Sequence, residues 1–172
     1  MPTKSRKSPA SPRKARTHTF VPPLPLRLLR ARDVVMRRFR PTLHALGLTD
    51  QQGRILRVLA EFERVEMLEL SALTCINPAS LSRMIPSMDR KGIVRRRKHR
   101  DDARRVTVSL TKRGRDLIEP MYRESNEIYA ALAKEIGPER MRQLYRCLDT
   151  LIELDGGDPW SRPWRSSPAR RR

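Results

Sequence analysis

Apolar residues recur at helical spacing over much of the chain. In the segment 25–47 they are Leu28, Leu29, Val34, Val35, Phe39 and Leu43. This spacing predicts an amphipathic helix, and Pro41 should kink that helix or split off its last turn. A second helix is predicted from Thr49 onward, because Thr49 and Gln52 have the spacing of a capping box.

Two more helices are predicted before the pattern changes. The segment 65–74 predicts a short one. The next should begin at Asn77, because asparagine is a favoured N-cap residue and proline, here Pro78, is favoured at the first helical position. Gly92 suits the position that follows the last turn of this helix.

The pattern then changes from helical to alternating. The sequences IVRRRK and RRVTVSLT predict two strands joined by HRDDA, since Val106, Val108 and Leu110 alternate with polar residues in the second one. Thr111 should then cap one long helix. Gly137-Pro138 should end that helix and begin the last one.

This order of elements predicts a mainly α fold with a small β-hairpin wing. The expected winged helix-turn-helix lobe covers residues 48–110, and the helical segments 22–47 and 111–155 flank it. The segments 1–21 and 156–172 are rich in basic residues, proline and serine, so we expect them to be basic tails, and the first to be disordered. The simplest role of such tails is that of solvated, non-specific electrostatic arms.

The net charge of the chain indicates a class of binding partner. The chain has 38 Lys and Arg against 19 Asp and Glu, a formal charge of +19, which is typical of proteins that bind nucleic acid or an anionic membrane surface. No apolar run is long enough for a transmembrane helix, and no apolar segment follows the basic N-terminus as in a secretory signal, so no membrane partner is expected. Two cysteines without a zinc-binding spacing favour a reduced cytoplasmic location without metal or cofactor.

The predicted second helix of the helix-turn-helix has a face of small polar side chains. In such motifs the N-terminal end of this helix meets base edges in the major groove, where Arg83 can bind guanine O6 and N7 together. An ordinary surface helix is the alternative, although such a helix would normally show Glu and Lys pairs. The candidate DNA-contacting residues here are Asn77, Pro78, Ala79, Ser80, Ser82, Arg83 and Ser87.

The wing supplies a second set of candidates. Its basic residues should contact phosphates, and they are Arg97, Lys98, Arg100, Arg104 and Arg105. Asp102 lies two residues before Arg104 and can hold that guanidinium toward the minor groove or a phosphate by a bidentate pair. The alternative is that Asp101 and Asp102 serve a plain turn, in which aspartate is common.

The segment DDARRVTVSLTKRG resembles the wing signature of MarR-type transcription regulators. LTDQQGRILRVLAE and INPASLSRMIPSMDRKGIVRR match the same family in order and spacing, and the resemblance covers residues 24–155. LLRARDVVMRRFRP and LTCINPASLSRM look more like the branch that controls degradation of hydroxylated aromatic acids, which includes the homoprotocatechuate-operon and nicotinate-catabolism repressors. The resemblance implies a homodimer whose flanking helices form a dimerisation region, with the two lobes on a pseudo-palindromic double-stranded DNA operator. The long apolar stripes of the last two helices agree, because so small a lobe cannot cover them.

The resemblance also implies that a small phenolic or aromatic carboxylate, such as a hydroxynicotinate or a hydroxyphenylacetate, releases the DNA. Its pocket needs a cation and an apolar slot. At position 53 many relatives carry tryptophan, so glycine there should enlarge or reshape the pocket. Arginines in the first helix could instead pair with acids or face solvent. The candidate effector-binding residues are Arg32, Met36, Arg40, His44, Gln51, Gly53 and Thr74, of which the first four recur at intervals of four.

Other classes of protein are less consistent with this sequence. An enzyme is not predicted, because the histidines are scattered and no phosphate loop or nucleophile motif occurs. A nucleoid-type protein that coats DNA through charge alone is an alternative, as is a repressor without a small-molecule effector. Oxidation of Cys75 could switch binding, although a buried structural cysteine is the simpler expectation.

Overall fold

The computed structural model describes residues 23–98 and 105–154. The helices and strands follow one another as α1 (Leu24–Ala45), α2 (Asp50–Glu61), β1 (Val65–Glu66), α3 (Met67–Thr74), α4 (Pro78–Arg90), β2 (Val94–Lys98), β3 (Val106–Leu110), α5 (Lys112–Asp116), α6 (Ile118–Ile136) and α7 (Pro138–Glu153). The predicted mainly α fold with a small β wing is confirmed.

The predicted helix starts are confirmed at atomic detail. Thr49 Oγ1 accepts from the Gln52 amide, and the Gln52 side chain accepts from the Thr49 amide, which completes a capping box. The Asn77 side chain accepts from the Ala79 amide at 2.8 Å and caps α4. Gly92 follows α4 with a φ of +67°, a conformation that glycine adopts at little cost.

Pro41 does not split α1. The helix continues through Pro41 to Ala45, so the expectation of a separated last turn was wrong. Proline removes only one backbone donor, and the helix ends four residues later in any case.

The sheet has three strands in the order β1-β3-β2, one more than predicted. Strands β2 and β3 form the predicted antiparallel hairpin, with Arg96 opposite Val108. Strand β1 pairs with the other edge of β3, where Val65 also lies opposite Val108. Two residues are too few for alternation to be recognised in the sequence, and the pairing depends on a distant partner strand.

The long helix predicted after Thr111 is two helices, with Leu117 as the turn residue between α5 and α6. Thr111 does act as the N-cap and accepts from the Gly114 amide at 3.0 Å. The Thr111 hydroxyl also lies 3.0 Å from the Ile93 carbonyl, and a Cβ at Gly114 would lie 2.1 Å from that oxygen. These tertiary contacts hold α5 against the residue before β2, and hydrophobic spacing does not reveal them.

The hydrophobic core lies in the winged lobe, between α2, α3, α4 and the inner face of the sheet. By contrast, α7 buries none of its residues. Exposed large apolar side chains are concentrated on α1, α6 and α7: Leu24, Leu28, Leu29, Val34, Tyr122, Tyr129, Ile136, Leu144, Tyr145, Leu151 and Ile152. Among the helices described, none has the length and apolar character needed to cross a membrane.

Candidate nucleic-acid interface and the adjoining cavity

Helix α4 has a side buried in the core and an accessible side that carries the predicted DNA-contacting residues. Leu81, Ile85 and Met88 are buried in the lobe. The predicted contact residues lie away from that side: Asn77, Pro78, Ala79, Ser82 and Arg83 are exposed, and Ser80 and Ser87 are half-buried. The structure therefore presents the predicted residues of α4 on one accessible face.

The described part of the wing carries exposed cations on β2. Arg97 and Lys98 are exposed, as predicted for phosphate contacts. Arg105 is exposed too, but its guanidinium binds the Glu66 carboxylate through two nitrogens, with Nε 3.4 Å from Oε2. The predicted residues Arg100, Asp102 and Arg104 lie outside the described residues, so the proposed Asp102–Arg104 pair stays a prediction.

A basic concavity of about 310 Å³ lies on the outer face of the sheet. Its lining residues are Glu63, Arg64, Arg95, Arg97, Thr107, Ser109, Leu110, Thr111, Lys112 and Arg115. Only Arg97 among its five cations was predicted from the sequence. The alternation of β2 would have indicated Arg95, whereas Arg64, Lys112 and Arg115 come from other segments and meet it only in the fold.

A more apolar cavity of about 130 Å³ lies between α1, α2 and α6. It is lined by Arg32, Met36, Phe39, Thr42, Leu43, Asp50, Gly53, Arg54, Arg57, Met121, Glu124, Ser125, Ile128 and Tyr129. Three arginines and two carboxylates share an otherwise largely apolar lining. This combination suits an anion with an apolar body.

Arg57 is held on the α1 and α6 side of the cavity. Its guanidinium carbon lies 5.7 Å from the ring centre of Phe39 and 5.9 Å from that of Tyr122, within cation–π range. It donates to the hydroxyl of Ser125, which is 2% exposed and donates in turn to the Met121 carbonyl.

Tyr122 has its own partner beside the cavity. Its hydroxyl donates to the Glu61 carboxylate at 2.7 Å. Burial, together with this hydrogen bond and the negative charge of Glu61, raises the pKa of Tyr122 to about 12. The phenol therefore stays protonated and remains a donor throughout the physiological pH range.

Arg54 points from the cavity toward the helix-turn-helix. Its Nη1 donates to the carbonyl oxygen of Thr74, the last residue of α3, at 2.7 Å. Burial lowers the pKa of Arg54, and the nearby Arg32 lowers it further. Among the described residues, no carboxylate lies within 4 Å of its nitrogens.

Three of the predicted effector-binding residues come together at this cavity, namely Arg32, Met36 and Gly53. Gly53 is buried, and a Cβ there would lie 2.6 Å from Cδ2 of Leu43. The absence of a side chain thus lets α2 approach Leu43 of α1. Binding by these three residues stays a prediction, because their placement alone does not test it.

The other four predicted effector residues do not line the cavity. Arg40 is bound to Asp33 at 2.8 Å and to Asp50 at 3.3 Å, which raises the pKa of Arg40 and lowers that of Asp33. His44 and Gln51 are exposed.

Thr74, the fourth, is buried, and its hydroxyl donates to the Leu70 carbonyl at 2.5 Å. It contributes its backbone carbonyl to Arg54 rather than a side chain to the cavity.

The geometry of α1 explains why residues spaced by four separate. Each step of four residues turns about 40° beyond a full revolution, so three steps turn about 120°. Arg32 and Met36 line the cavity, whereas Arg40 and His44 lie further around the helix and do not. Arg54 and Arg57 were missed, although two arginines within the buried face of α2 could have indicated them.

Cys75 is exposed, contrary to the expected buried position. It ends α3 with a left-handed φ of 49°, which directs the chain into the turn before α4. Within the residues that the structure describes, no group of three His, Cys, Asp or Glu side chains could hold a metal ion.

Similarities to known proteins agree with this architecture. The pattern of the MarR family matches residues 48–106. The HTH-type transcriptional regulator FarR of Neisseria gonorrhoeae is 36% identical over 128 residues, which cover 74% of this chain and 88% of FarR. The homoprotocatechuate degradative operon repressor of Escherichia coli is 36% identical over 131 residues, covering 76% of this chain and 88% of the repressor.

A solved structure extends the similarity to three dimensions. The crystal structure of NadR in complex with 4-hydroxyphenylacetate is 34% identical, has a TM-score of 0.67, and covers 80% of this chain and 97% of the NadR chain. The resemblance inferred from the wing and helix motifs, including that to homoprotocatechuate-operon repressors, is confirmed by these relatives. The chain belongs to the MarR family of winged helix-turn-helix transcriptional regulators.

Proposed function

We propose that this protein is a homodimeric repressor that binds a specific double-stranded DNA operator and leaves it when a small aromatic carboxylate binds. One observation carries the proposal. The exposed face of α4 and the cationic wing share one lobe, and an apolar cavity containing arginines adjoins that lobe. DNA recognition and its control by an anion therefore have adjacent sites in one fold.

The chemistry of α4 supports readout of bases. Ala79, Ser80 and Ser82 are small enough to let the helix approach the major groove closely. Arg83 is exposed and has no ion pair among the described residues, so it can donate to guanine. Arg95 and Arg97 on the sheet add phosphate contacts, which position the lobe without reading sequence.

The exposed apolar face of α7 supports a homodimer. Leu144, Leu151 and Ile152 are 46%, 39% and 42% exposed although they form one stripe. Covering such a stripe with its symmetric copy is the common solution for an apolar patch. Two lobes related in this way would read half-sites about one helical turn of DNA apart.

The cavity supports an aromatic acid as effector. Its arginines can bind a carboxylate, and Phe39, Met36 and Ile128 offer apolar contact for a ring. NadR, a relative 34% identical, has been crystallised with 4-hydroxyphenylacetate. Hydroxyphenylacetates and hydroxynicotinates are therefore the leading effector class.

A charge-driven architectural protein is the alternative from another class. The basic concavity on the sheet and the formal charge of +19 favour it. Such binding would not depend on sequence and would fall steeply with salt. A repressor without an effector is a further alternative, which titration with aromatic acids would distinguish.

Substitution of Arg83 tests the proposal. Arg83→Ala should weaken specific DNA binding by about 1–3 kcal/mol, the usual value of a bidentate arginine–guanine contact, and affect random DNA much less. Arg123→Ala, which removes an exposed arginine from α6, is the charge-matched control. Fluorescence anisotropy with operator and random duplexes measures both, and equal losses for the two variants would contradict readout through α4.

A further inference from the structure

We infer that Arg54 is a positioning residue that transmits the state of the cavity to the DNA-reading helix. In the free protein it holds the end of α3 through a backbone carbonyl, and a bound carboxylate takes over the same guanidinium. The inference rests on the proposed function, since it concerns how that cavity regulates DNA binding.

The geometry places Arg54 between the two sites. Of the three arginines that line the cavity, Arg32, Arg54 and Arg57, Arg54 is the one with a described hydrogen bond to the helix-turn-helix. Its partner is the carbonyl of Thr74 at 2.7 Å. Only residues 75–77 separate Thr74 from the first residue of α4.

The turn between α3 and α4 is held by a series of polar contacts. The Ser71 hydroxyl donates to the Ile76 carbonyl at 2.7 Å, and Asn77 caps α4. Cys75 has a left-handed φ of 49°, which few residues other than glycine adopt. A turn fixed at so many points transmits a displacement of the Thr74 carbonyl to the N-terminal end of α4, where bases are read.

The partner of Arg54 can be replaced. A backbone carbonyl is neutral, whereas a carboxylate carries a charge and can bind the guanidinium through two hydrogen bonds, which is the stronger arrangement. Burial and the neighbouring Arg32 disfavour the charge on Arg54, and the negative charge of an anion in the cavity would compensate for both. An acid bound in the cavity therefore competes directly with Thr74.

Arg57 provides a matched control. It lines the same cavity, but its described contacts are Ser125 and Tyr122 on α6 and Phe39 on α1. Its removal should weaken the attraction of the cavity for an acid without releasing α3.

The first experiment needs no effector. Hydrogen exchange of the full-length protein should be faster at the amides of residues 75–77, 79 and 80 in Arg54→Ala than in wild type, and affinity for its upstream DNA should fall about tenfold. Arg123→Ala, which removes an exposed arginine of α6 that does not line the cavity, should leave both nearly unchanged. Arg54→Met, which keeps the unbranched stem and removes the donors, repeats the test if Arg54→Ala fails to fold. Equal exchange and equal affinity in wild type and the Arg54 variants would overturn the inference.

The second experiment uses 4-hydroxyphenylacetate as the probe. The ratio of DNA dissociation constants with saturating acid and without it should be about 5–150 for wild type, the usual range of allosteric coupling, and about 1 for Arg54→Ala. Arg57→Ala should need more acid to saturate but then reach the wild-type ratio. If the acid fully releases DNA from Arg54→Ala, the role of Arg54 is overturned but the proposed effector class is not. If the acid does not release DNA from the wild type, both are overturned.

Discussion

Gly53 controls the space at the cavity by lacking a side chain. Its α2 backbone approaches Leu43 of α1 so closely that a Cβ would overlap Cδ2 of that leucine, at 2.6 Å, and would also meet the Met121 methyl at 3.5 Å. Glycine within a helix costs about 0.5–1 kcal/mol relative to alanine. We interpret the presence of glycine at this position, despite its cost to the helix, as a requirement for space between α2 and Leu43.

Gly53→Ala should therefore weaken effector binding. The added methyl group pushes the Leu43 side chain toward the cavity, so the dissociation constant for 4-hydroxyphenylacetate should rise several-fold. Affinity for DNA without the acid should stay close to wild type. Isothermal titration calorimetry measures the first quantity, with Gln51→Ala, an exposed position on the same helix, as the control. Unchanged acid affinity in Gly53→Ala would contradict a role in shaping the cavity.

For individual residues, the sequence indicates which side of a helix a side chain occupies better than it indicates which partner that side chain binds. Arg32 and Met36 both line the cavity, because residues four apart lie on nearly the same side of a helix, and their binding of an effector stays a prediction. Arg40 was misplaced because two carboxylates, Asp33 and Asp50, compete for it in the fold. Such competition depends on distances that the sequence alone does not contain.

Ion pairs between helices connect the first helix to the rest of the molecule. Both terminal nitrogens of Arg38 on α1 donate to the carboxylate of Glu135 on α6, each at 2.7 Å. This pairing lowers the pKa of Glu135 below its usual value of 4.5. The stabilisation is present above the usual pKa and is lost as the pH falls through the lowered one.

Acid should therefore loosen the α1–α6 contact. Between pH 6 and pH 5 the melting temperature should be nearly constant, and it should fall below about pH 4.5, where carboxylates begin to bind protons. In Glu135→Gln that fall should be shallower, while Glu127→Gln on the same helix should behave like wild type. Thermal melts followed by circular dichroism measure this, and identical acid profiles for Glu135→Gln and wild type would exclude the contribution of the pair.

Helix ends were predicted well, whereas contacts between elements were not. Thr49, Asn77 and Thr111 act as caps because a side chain and an amide two or three residues apart suffice for this role. The strand Val65–Glu66 and the break at Leu117 were missed. The strand depends on docking against β3, which is distant in the sequence. The break at Leu117 has a local cause, because Pro120 has no N–H to donate to the carbonyl of Asp116, the last residue of α5.

Among the described residues of a single chain, none covers the apolar stripe of α7. No residue of α7 is buried, although it carries Leu144, Leu151 and Ile152. The predicted domain boundaries treat this helix as part of a dimerisation region, and that assignment stays a prediction. The sequence indicated the stripe, but it could not indicate how a second copy would cover it.

Charges placed in that stripe should separate the proposed dimer. Leu144→Glu combined with Leu151→Glu should convert a particle of twice 20.1 kDa into one of 20.1 kDa and weaken operator binding more than tenfold, because two half-sites are no longer bound together. Thr150→Glu, an exposed polar position about 100–120° around α7 from the two leucines by helical periodicity, is the control. Light scattering after gel filtration gives the mass, and a wild type of 20.1 kDa at micromolar concentration would contradict the dimer.

A mobility-shift titration of the wild-type protein tests whether it binds a specific operator and releases it with an aromatic acid. The DNA is the region upstream of its own coding sequence, in excess random competitor, with and without 4-hydroxyphenylacetate or 6-hydroxynicotinate. We expect a complex that survives the competitor and dissociates with one of the acids. A complex lost equally to random DNA and indifferent to both acids would contradict this expectation, and would instead identify a protein that coats DNA through its charge.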